Sequence, residues 1–333
     1  MSQPIRRRSA LGAIAIAAIG AAPFVRAQPQ LTKLTLTLEF TAGGFHSPLF
    51  LALQKGWFKE VGVDLTIVDG KGSAQTISLV GAGQSDLGYS QGGSMAIGRA
   101  KGVPVKTVAT ILNKACYGLV FRKGEPYRNA ADFKGKQILY NTASHEGAFL
   151  EGFLESAKLT KADVKLLGVD ASSKLSSVLS HKGDAAVVPV PYFVGLFEGK
   201  NEIDSLLFSD FGVKMADMGI VTSENAIKTK SGAIKGFVAV MSRAYQAVLD
   251  GSAEEAANAL ALARPDLNLN VPLAARIFRA YRGNFNVPAT EGKPVGFISD
   301  TVWNETIETL KRLQIVESNA KAADMVDKSF MPT

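Results

Sequence analysis

The residues that could support acid–base or metal chemistry are few and widely spaced in this chain of 333 residues. There are three histidines, His46, His145 and His181, and one cysteine, Cys116. A metal site needs several such ligands to converge. The adjacent pair Ser144 and His145 would not form a nucleophile–base dyad, because neighbouring residues on a helix point in different directions. Neither an H-E-x-x-H helix nor a Walker phosphate loop occurs. The sequence therefore predicts no catalytic site, no metal site and no cofactor.

A different pattern recurs, in which a polar or glycine-rich turn follows a predicted strand and precedes a helix. The five turns lie at 43–47, 70–73, 90–93, 142–145 and 189–192. In an open α/β sheet, ligands bind beyond the carboxyl ends of the strands, where backbone N–H groups favour acceptor groups. Any α/β protein has connecting turns of this kind. Five of them in a chain without catalytic motifs favour a cleft that binds a small molecule.

The elements that must position these turns alternate between strand and helix. Residues 31–39 alternate apolar and polar side chains, as a strand does. Ser47 and Pro48 are predicted as N-cap and first residue of a helix, which Gly56 ends. Further strands are expected at 63–68, 86–90 and 105–112. Ser73 is predicted to cap a helix that runs to Val80, and another helix is predicted to open at Gly92. This order predicts a parallel sheet with helices on its faces.

A second α/β unit follows, and a helical segment closes the chain. Its strands are predicted at 117–122, 137–140, 164–167 and 185–188, with helices at 144–157 and 174–180. A strand at 218–222 precedes four helices, at 231–250, 253–263, 271–281 and 300–313. The two units are thus predicted to form two lobes, with crossings near 113–118 and 215–220.

The amino terminus has the pattern of an export signal. Arg6, Arg7 and Arg8 precede an apolar stretch at 10–22, and Val25 and Ala27 suit cleavage after residue 27. Thirteen helical residues rise about 20 Å, which is short of the ~30 Å hydrocarbon core of a bilayer. Both the twin-arginine and the general secretion routes remain open. The segment predicts a periplasmic protein.

Charge and cysteine content narrow the class further. The formal net charge is +7, and residues 1–27 contribute four arginines and no acid, so the remainder carries 7 − 4 = +3. A charge of this size without a basic run does not favour nucleic-acid or membrane binding. One cysteine permits no intrachain disulfide, and Cys116 lies too far from the signal to carry a lipid anchor. A soluble monomer is expected.

Several short segments resemble one known family. The stretch H-S-P-L-F-L-A-L-Q-K-G-W-F-K-E-V-G-V-D-L, which begins at His46, is similar to the H-x-P-x-x-x-A-x-x-x-G-x-F-x-x-x-G-x-x-V opening of periplasmic solute-binding proteins of ABC importers. The relevant group is the nitrate/sulfonate/taurine and thiamine-pyrimidine-like one. Shorter similarities occur at 83–88, 130–136 and 183–188, so the resemblance spans roughly residues 31–315.

The resemblance implies a type II periplasmic-binding-protein fold of class α/β. Two parallel-sheet lobes would be joined by a two-segment hinge, with the C-terminal helices on lobe 1. Lobe 1 would comprise 28–115 and 218–333, and lobe 2 would comprise 116–217. The family's ligand loops and hinge fall on the following residues of this chain: Phe45, His46, Gly72, Ser73, Ser90, Gln91, Asn113, Tyr117, Ser144, His145, Tyr192 and Asp217.

The function that the resemblance implies is capture of a small molecule by lobe closure and its delivery to an ABC permease. The ligand class stays open between a sulfonate or carboxylate and a pyrimidine-like aromatic. A ligand-sensing adaptor and an exported enzyme acting on a pyrimidine-like compound are the alternatives. The family's fungal enzymes carry a clustered-cysteine motif, which a chain with a single cysteine lacks. A binding protein rather than an enzyme is therefore expected.

Overall fold

The computed structural model of the chain describes residues 31–142 and 146–332, in addition to Met1. Met1 apart, the predicted signal segment 1–27 lies outside the described residues, as do Ser144 and His145. In the described part the chain forms two five-stranded sheets with helices packed on their faces.

The described chain contains ten strands. In chain order they are β1 (Thr32–Thr37), β2 (Val63–Val68), β3 (Leu87–Gln91), β4 (Val105–Thr110), β5 (Tyr117–Arg122), β6 (Gln137–Tyr140), β7 (Lys165–Gly168), β8 (Ala185–Pro189), β9 (Ile203–Leu207) and β10 (Met218–Ser223).

The helices of the described residues number fourteen, apart from short 3-10 turns. They are α1 (Ser47–Gln54), α2 (Trp57–Glu60), α3 (Ser73–Gly81), α4 (Gly92–Ala100), α5 (Glu146–Glu155), α6 (Lys174–Leu179), α7 (Val190–Phe197), α8 (Glu224–Thr229), α9 (Ser231–Leu249), α10 (Ala253–Ala263), α11 (Val271–Ala280), α12 (Arg282–Phe285), α13 (Asp300–Arg312) and α14 (Ala322–Met325).

The first sheet has the strand order β2-β1-β3-β10-β4. Strand β1 is parallel to β2 and β3, as the alternation of strands and helices predicts. Strand β10, however, inserts antiparallel between β3 and β4, so the sheet is mixed rather than purely parallel. The reason is topological, because β10 returns from the other sheet more than one hundred residues after β4 and enters from the opposite end.

The second sheet has the order β7-β6-β8-β5-β9 and is also mixed. Strand β6 is parallel to β7 and β8, whereas β5, the strand that arrives from the first sheet, is antiparallel to β8 and β9. The type II fold with two lobes is confirmed by this topology. The lobe boundaries at 115/116 and 217/218 stay a prediction, and both fall in the segments that connect the sheets.

The C-terminal helices pack on the first lobe. Helix α10 lies against α1, and α13 lies beside α4 with Trp303 fully buried. The indole Nε1 of Trp303 donates a hydrogen bond to Thr110 Oγ1 at 3.0 Å, which satisfies the buried donor. The placement agrees with the family resemblance.

Two helix starts differ from the predicted caps. His46, not Ser47, occupies the N-cap of α1, and Ser47 is the first helical residue, with its Oγ donating to Gly44 O at 2.7 Å. Gly72, not Ser73, is the N-cap of α3 and has a φ of +122°. A positive φ is a conformation that glycine adopts more easily than other residues. Gly72 therefore suits this position, and no side chain caps the helix.

None of the helices in 31–142 and 146–332 combines the length and apolar character that a bilayer crossing requires.

Candidate ligand-binding cleft

The turn after β1 is stabilised by hydrogen bonds to the ring of His46. The N–H of Gly43 donates to His46 Nδ1 at 3.1 Å, so the ring proton lies on Nε2, which donates to the Glu39 carboxylate at 2.9 Å. His46 is only 5% exposed. Both ring nitrogens are therefore engaged, and the imidazole stabilises the turn instead of presenting a free nitrogen.

Phe45, which the family resemblance places among the ligand-binding residues, lies in an aromatic cluster inside lobe 1. Its ring centroid is 4.5 Å from that of Tyr281 and 6.0 Å from that of Phe278. Behind it, Tyr89 and Tyr245 hydroxyls lie 2.9 Å apart, and Tyr245 donates to Phe45 O at 3.1 Å. Burial raises the pKa of both hydroxyls well above their usual range. What faces Phe45 is the C-terminal segment of lobe 1 rather than the second lobe.

Gly43 and Gly44 of this turn differ in how closely other residues surround them, which predicts different effects of substitution by alanine. A Cβ on Gly44 would lie 2.3 Å from the Ala274 carbonyl oxygen, whereas a Cβ on Gly43 would meet nothing within 4 Å. Gly44→Ala must displace α11, so we expect a loss of about 1–3 kcal/mol in the free energy of unfolding, as for other overpacked sites. Urea denaturation measures it.

Gly43→Ala is the matched control and should change stability by less than about 0.5 kcal/mol, as an open surface site does. Equal losses for the two variants would contradict the close approach of Gly44 to α11.

The turns after β2 and β3 are tied to one another. Ser73 Oγ accepts a hydrogen bond from the Gln91 N–H at 3.2 Å. Gly72 donates its N–H to Glu39 O at 2.6 Å. Ser90, in β3, is 1% exposed, and its Oγ has no hydrogen-bond partner in the described part of the chain.

A pattern that the sequence prediction overlooked is G-x-S-x-G at residues 88–92, centred on Ser90. In a nucleophile elbow the serine occupies a sharp turn with its hydroxyl exposed. Here Ser90 lies within β3, opposite Gly219 of β10, and is buried. The sequence spacing matches a nucleophile elbow, but Ser90 has the extended backbone and the burial of a strand residue. The motif therefore does not form an elbow here.

The two segments that cross between the lobes are joined at Asp217. Its Oδ2 accepts the Cys116 N–H at 2.7 Å, and its own N–H donates to Leu112 O at 2.9 Å. Its carbonyl accepts the N–H of Gly92 at 2.6 Å. Burial raises the pKa of the Asp217 carboxyl to about 6, although hydrogen bonds from Cys116 oppose the shift. A carboxylate with 5% exposure thus sits where both crossings meet the first lobe.

The first crossing is also fixed to the C-terminal helices. Asn113 donates through Nδ2 to Phe285 O at 2.8 Å, and Asn284 donates through Nδ2 to Lys114 O at 3.2 Å. The side chain of Asn113 therefore holds the backbone of α12. Its Oδ1 is buried without a partner among the described residues.

A narrow cleft lies between the lobes at these crossings. Its cavity volume is about 10 Å³, close to the space that a single water molecule needs, so the cleft is nearly closed in this structure. The residues lining it are Gln91, Gly93, Ala115, Tyr117, Phe149, Phe208, Val213, Met215, Ala216 and Asp217. They come from lobe 1, from lobe 2 and from both crossings.

The chemistry of the cleft is aromatic and apolar with a few polar groups. Tyr117 and Phe149 form one wall, with ring centroids 6.2 Å apart at 64°. Burial, followed by the charge of Glu146, raises the pKa of the Tyr117 hydroxyl well above its usual range, whereas a hydrogen bond with Gln91 lowers it. Asp217 is the only ionisable carboxyl in the described lining, and no lysine, arginine or histidine belongs to that lining.

Three of the twelve predicted site residues line the cleft, namely Gln91, Tyr117 and Asp217. Seven lie elsewhere in the described chain: Phe45, His46, Gly72, Ser73, Ser90 and Asn113 are inside or behind lobe 1 and its crossing, and Tyr192 is 41% exposed on α7. The prediction missed Phe149, Phe208 and Met215. For Met215 the signal was its position two residues before Asp217; nothing local marks the two phenylalanines.

A buried ion pair joins the first residue of α5 to α6 and β8. The Lys174 ammonium donates to Glu146 Oε2 and to Val187 O, the latter at 2.9 Å. The same carboxylate oxygen accepts the Asn141 N–H at 2.8 Å. Burial lowers the pKa of Lys174 from its usual value, although Glu146 opposes this. The pair joins α5, α6 and the carboxyl ends of β6 and β8.

No three His, Cys, Asp or Glu side chains of the described residues are grouped so as to hold a metal ion.

Solved structures with the same architecture define the class of fold. The alkanesulfonate-binding protein SsuA from Xanthomonas axonopodis, bound to MOPS, is similar with a TM-score of 0.68 and 16% identity, covering 91% of this chain and 99% of that one. The periplasmic aliphatic sulphonate binding protein SsuA from Escherichia coli has a TM-score of 0.70 and 15% identity, covering 90% and 92%. The chain has the fold of periplasmic binding proteins.

The sequence comparison then gives the family. A family model described as "NMT1/THI5 like" matches residues 45–255, and the chain belongs to this family. It is 33% identical over 109 residues to the Saccharomyces cerevisiae 4-amino-5-hydroxymethyl-2-methylpyrimidine phosphate synthase THI12, a match that spans 32% of each chain. It is 25% identical over 244 residues to a putative thiamine biosynthesis protein of Haemophilus influenzae, covering 72% of this chain and 76% of that protein.

Proposed function

We propose that this protein is the periplasmic substrate-binding component of an ABC importer. It captures a small organic molecule between its lobes and delivers it to a permease in the inner membrane. The observation that carries the proposal is the cleft whose walls come from both lobes and both crossings, with Gln91, Tyr117 and Asp217 directed to one space. Its similarity in fold to sulfonate-binding proteins supports the same role.

Lobe closure is the proposed mechanism. Lobe 1, residues 28–115 and 218–333, and lobe 2, residues 116–217, rotate about the two crossings, and the ligand contacts both lobes only in the closed form. A shift from mostly open to mostly closed requires about 5.5 kcal/mol of differential binding. Hydrogen bonds to the Asp217 carboxylate, at about 1.5–3 kcal/mol each, together with stacking on the aromatic wall, at about 1–3 kcal/mol, supply an amount of this order.

The lining favours one of the two ligand classes left open by the sequence. An anion in the cleft would face the Asp217 carboxylate without a cation in the described lining, and a buried charge without a partner is costly. A flat heteroaromatic with exocyclic N–H donors suits the site better. It would stack on Tyr117 and Phe149 and donate to Asp217. We therefore propose an aminopyrimidine-like ligand.

A ligand screen tests both levels of the proposal. Aminopyrimidines, alkanesulfonates, carboxylates and nitrate are added to the protein, and the unfolding temperature is measured. A ligand present at 100 times its Kd adds about 2.7 kcal/mol to the stability. We expect aminopyrimidines to raise the unfolding temperature. A shift with a sulfonate alone would contradict the ligand class but keep the binding role; no shift with any compound would count against the role.

A pair of tyrosine variants locates the site. Tyr117→Ala removes the ring on which the proposed ligand stacks and should weaken aminopyrimidine binding at least about fivefold by calorimetry, because base–aromatic stacking contributes about 1–3 kcal/mol. Tyr192→Ala removes an exposed ring outside the cleft and should leave the Kd unchanged. The opposite order would place the ligand on α7 instead of in the cleft.

An enzyme is the second candidate, because the chain matches a third of a yeast pyrimidine phosphate synthase. Recovery of the ligand unchanged after long incubation, checked by mass spectrometry, would support the binding role, and a new product would support the enzyme. A sensing adaptor is distinguished by reconstituted transport, since only an importer component would stimulate uptake by its permease.

Export is also part of the proposal. Cleavage after Ala27 would leave Gln28 as the first residue of the secreted protein. Sequencing of its amino terminus tests the cleavage, and light scattering tests the proposed monomer.

A further inference from the structure

The lobes touch outside the crossings, where α7 of lobe 2 packs on α11 of the C-terminal segment. Gly195 lies against the α11 backbone, and a Cβ at this position would come within 2.7 Å of Ile277 Cα. Arg276 Nε donates to Gly195 O at 2.7 Å, and its Nε is 3.6 Å from the Glu198 carboxylate. The contact is therefore a close helix crossing with one polar tether.

The same helix α11 is approached from lobe 1 by a second glycine. Gly44, in the turn after β1, lies so near Ala274 O that no Cβ fits between them. Ala274 and Ile277 are one helical turn apart. Helix α11 therefore packs both on the 43–46 turn of lobe 1 and on α7 of lobe 2, and the two glycines approach it one turn apart.

Helix α7 packs along α11 but buries few of its own side chains. All eight of its residues are apolar, Gly or Tyr, yet only Val190, Pro191 and Gly195 are buried. Its first residue is fixed at the crossing, because Val190 N–H donates to Cys116 O at 2.9 Å. Gly195 is five residues further on, about 7.5 Å along the helix axis. A rotation at the crossings would leave Val190 in place and lift Gly195 from α11.

The contact is also of a kind that can separate. Gly195 has no side chain that inserts between residues of α11, so the two helices can separate without withdrawing a side chain from a packed pocket. The polar tether at this contact is the long side chain of Arg276, which can rotate away from Gly195 O. The lobes also meet at α13, where Arg312 pairs with the Glu155 carboxylate at 2.6 Å and donates to Gly212 O at 3.1 Å.

We propose that α11 is the surface on which lobe 2 closes, and that the contact between Gly195 and Ile277, with the Arg276 hydrogen bond, holds the lobes together before any ligand binds. The inference rests on the proposed lobe closure. It makes Gly195 and Arg276 positioning residues, which set the open–closed balance without touching the ligand.

Ligand-free variants test the proposal. Gly195→Ala adds a methyl that the closed contact has no room for, and Arg276→Met keeps the aliphatic stem but removes the donor. Gly232→Ala is the control, since Gly232 is also helical and a Cβ there meets nothing within 4 Å. Small-angle scattering gives the radius of gyration, and hydrogen exchange reports on residues 190–197 and 271–280.

We expect Gly195→Ala to have a larger radius of gyration than the wild type and amide exchange in both helices at least tenfold faster. Arg276→Met should change both in the same direction but less, and Gly232→Ala should change neither. Wild-type scattering and exchange in both test variants would overturn the proposal. Loss of cooperative unfolding in Gly195→Ala together with wild-type exchange in Arg276→Met would also overturn it, because the contact would then belong to the fixed fold. None of these readouts needs a ligand, so they are independent of the ligand screen.

Discussion

Asp217→Asn is expected to make the ligand-free protein more stable at pH 7.5 and to weaken aminopyrimidine binding at least tenfold. The carboxyl has its pKa raised from 3.8 to about 6 by burial, so at neutral pH the fold carries a charge that burial disfavours. A shift of about two pKa units corresponds to up to about 3 kcal/mol. Asparagine removes the charge but keeps an oxygen for the Cys116 N–H. Urea denaturation and calorimetry measure the two effects.

The pH dependence follows with a definite sign. The folded protein binds the Asp217 proton more tightly than the unfolded chain does. The stabilising contribution of the protonated form is therefore complete below about pH 3.8, the unfolded value, and is lost as the pH rises through about 6. The advantage of Asp217→Asn over the wild type should thus appear only as the pH rises through this window, while ligand binding by the wild type should fall as the pH drops below about 6.

Asp163→Asn is a control of opposite sign. Hydrogen bonds from the Thr160 N–H and hydroxyl lower the pKa of this exposed carboxyl, so its ionised form favours the folded state. The variant should be less stable than the wild type at neutral pH, and the difference should vanish as the pH falls through the lowered pKa. The proposal holds that Asp217 is a buried charge that destabilises the fold and serves ligand binding. It would be contradicted if Asp217→Asn were less stable than the wild type at pH 7.5 and its stability varied with pH as that of the wild type does.

Lys174→Met is expected to cost about 3–5 kcal/mol in the free energy of unfolding, the usual loss when one partner of a buried ion pair is removed. The side chains of Lys174 and Glu146 are 3% and 6% exposed. Without the ammonium, the buried Glu146 side chain loses this partner, and α5 loses its link through Lys174 to β8. Chemical denaturation measures the stability, and calorimetry measures the accompanying rise in ligand Kd.

Two further variants separate the ion pair from mere packing. Lys174→Met with Glu146→Gln removes both charges and should recover most of the lost stability, because no uncompensated charge remains. Lys55→Met removes one partner of a half-exposed pair with Glu255 and should cost at most about 1 kcal/mol. A double variant as unstable as Lys174→Met would show that volume, not charge, determines the loss.

Local signals in the sequence were sufficient for most elements. The strand at 117–122 and the helix at 253–263 have the predicted bounds, since periodic apolar residues set them. Strand β9 and helix α7 were not foreseen. In α7 an apolar run carries no helical period, and two prolines near its start favour a turn, so only packing beside β5 and α11 decides its conformation.

Some residues of the candidate site could also be predicted from the sequence, and others could not. Gln91, Tyr117 and Asp217 could be selected from the sequence, because each lies at the end of a strand or in a crossing, where ligands of open α/β sheets bind. Phe149 and Phe208 could not, since their part in the cleft depends on how lobe 2 sits over the crossings. The link between Cys116 and Asp217 joins residues 101 positions apart, a distance over which no local pattern acts.

The sequence by itself determined the α/β class, the two crossings and the family resemblance, because all three are written in local periodicity and short motifs. Only the tertiary structure decided which residues the Gly43–His46 turn contacts. From the sequence, Phe45 and His46 of this turn were expected to contact the ligand. In the fold, Phe45 is covered by Phe278 and Tyr281, more than 230 residues away in the chain, because burial of an aromatic cluster lowers the free energy more than exposure of Phe45 on a rim would.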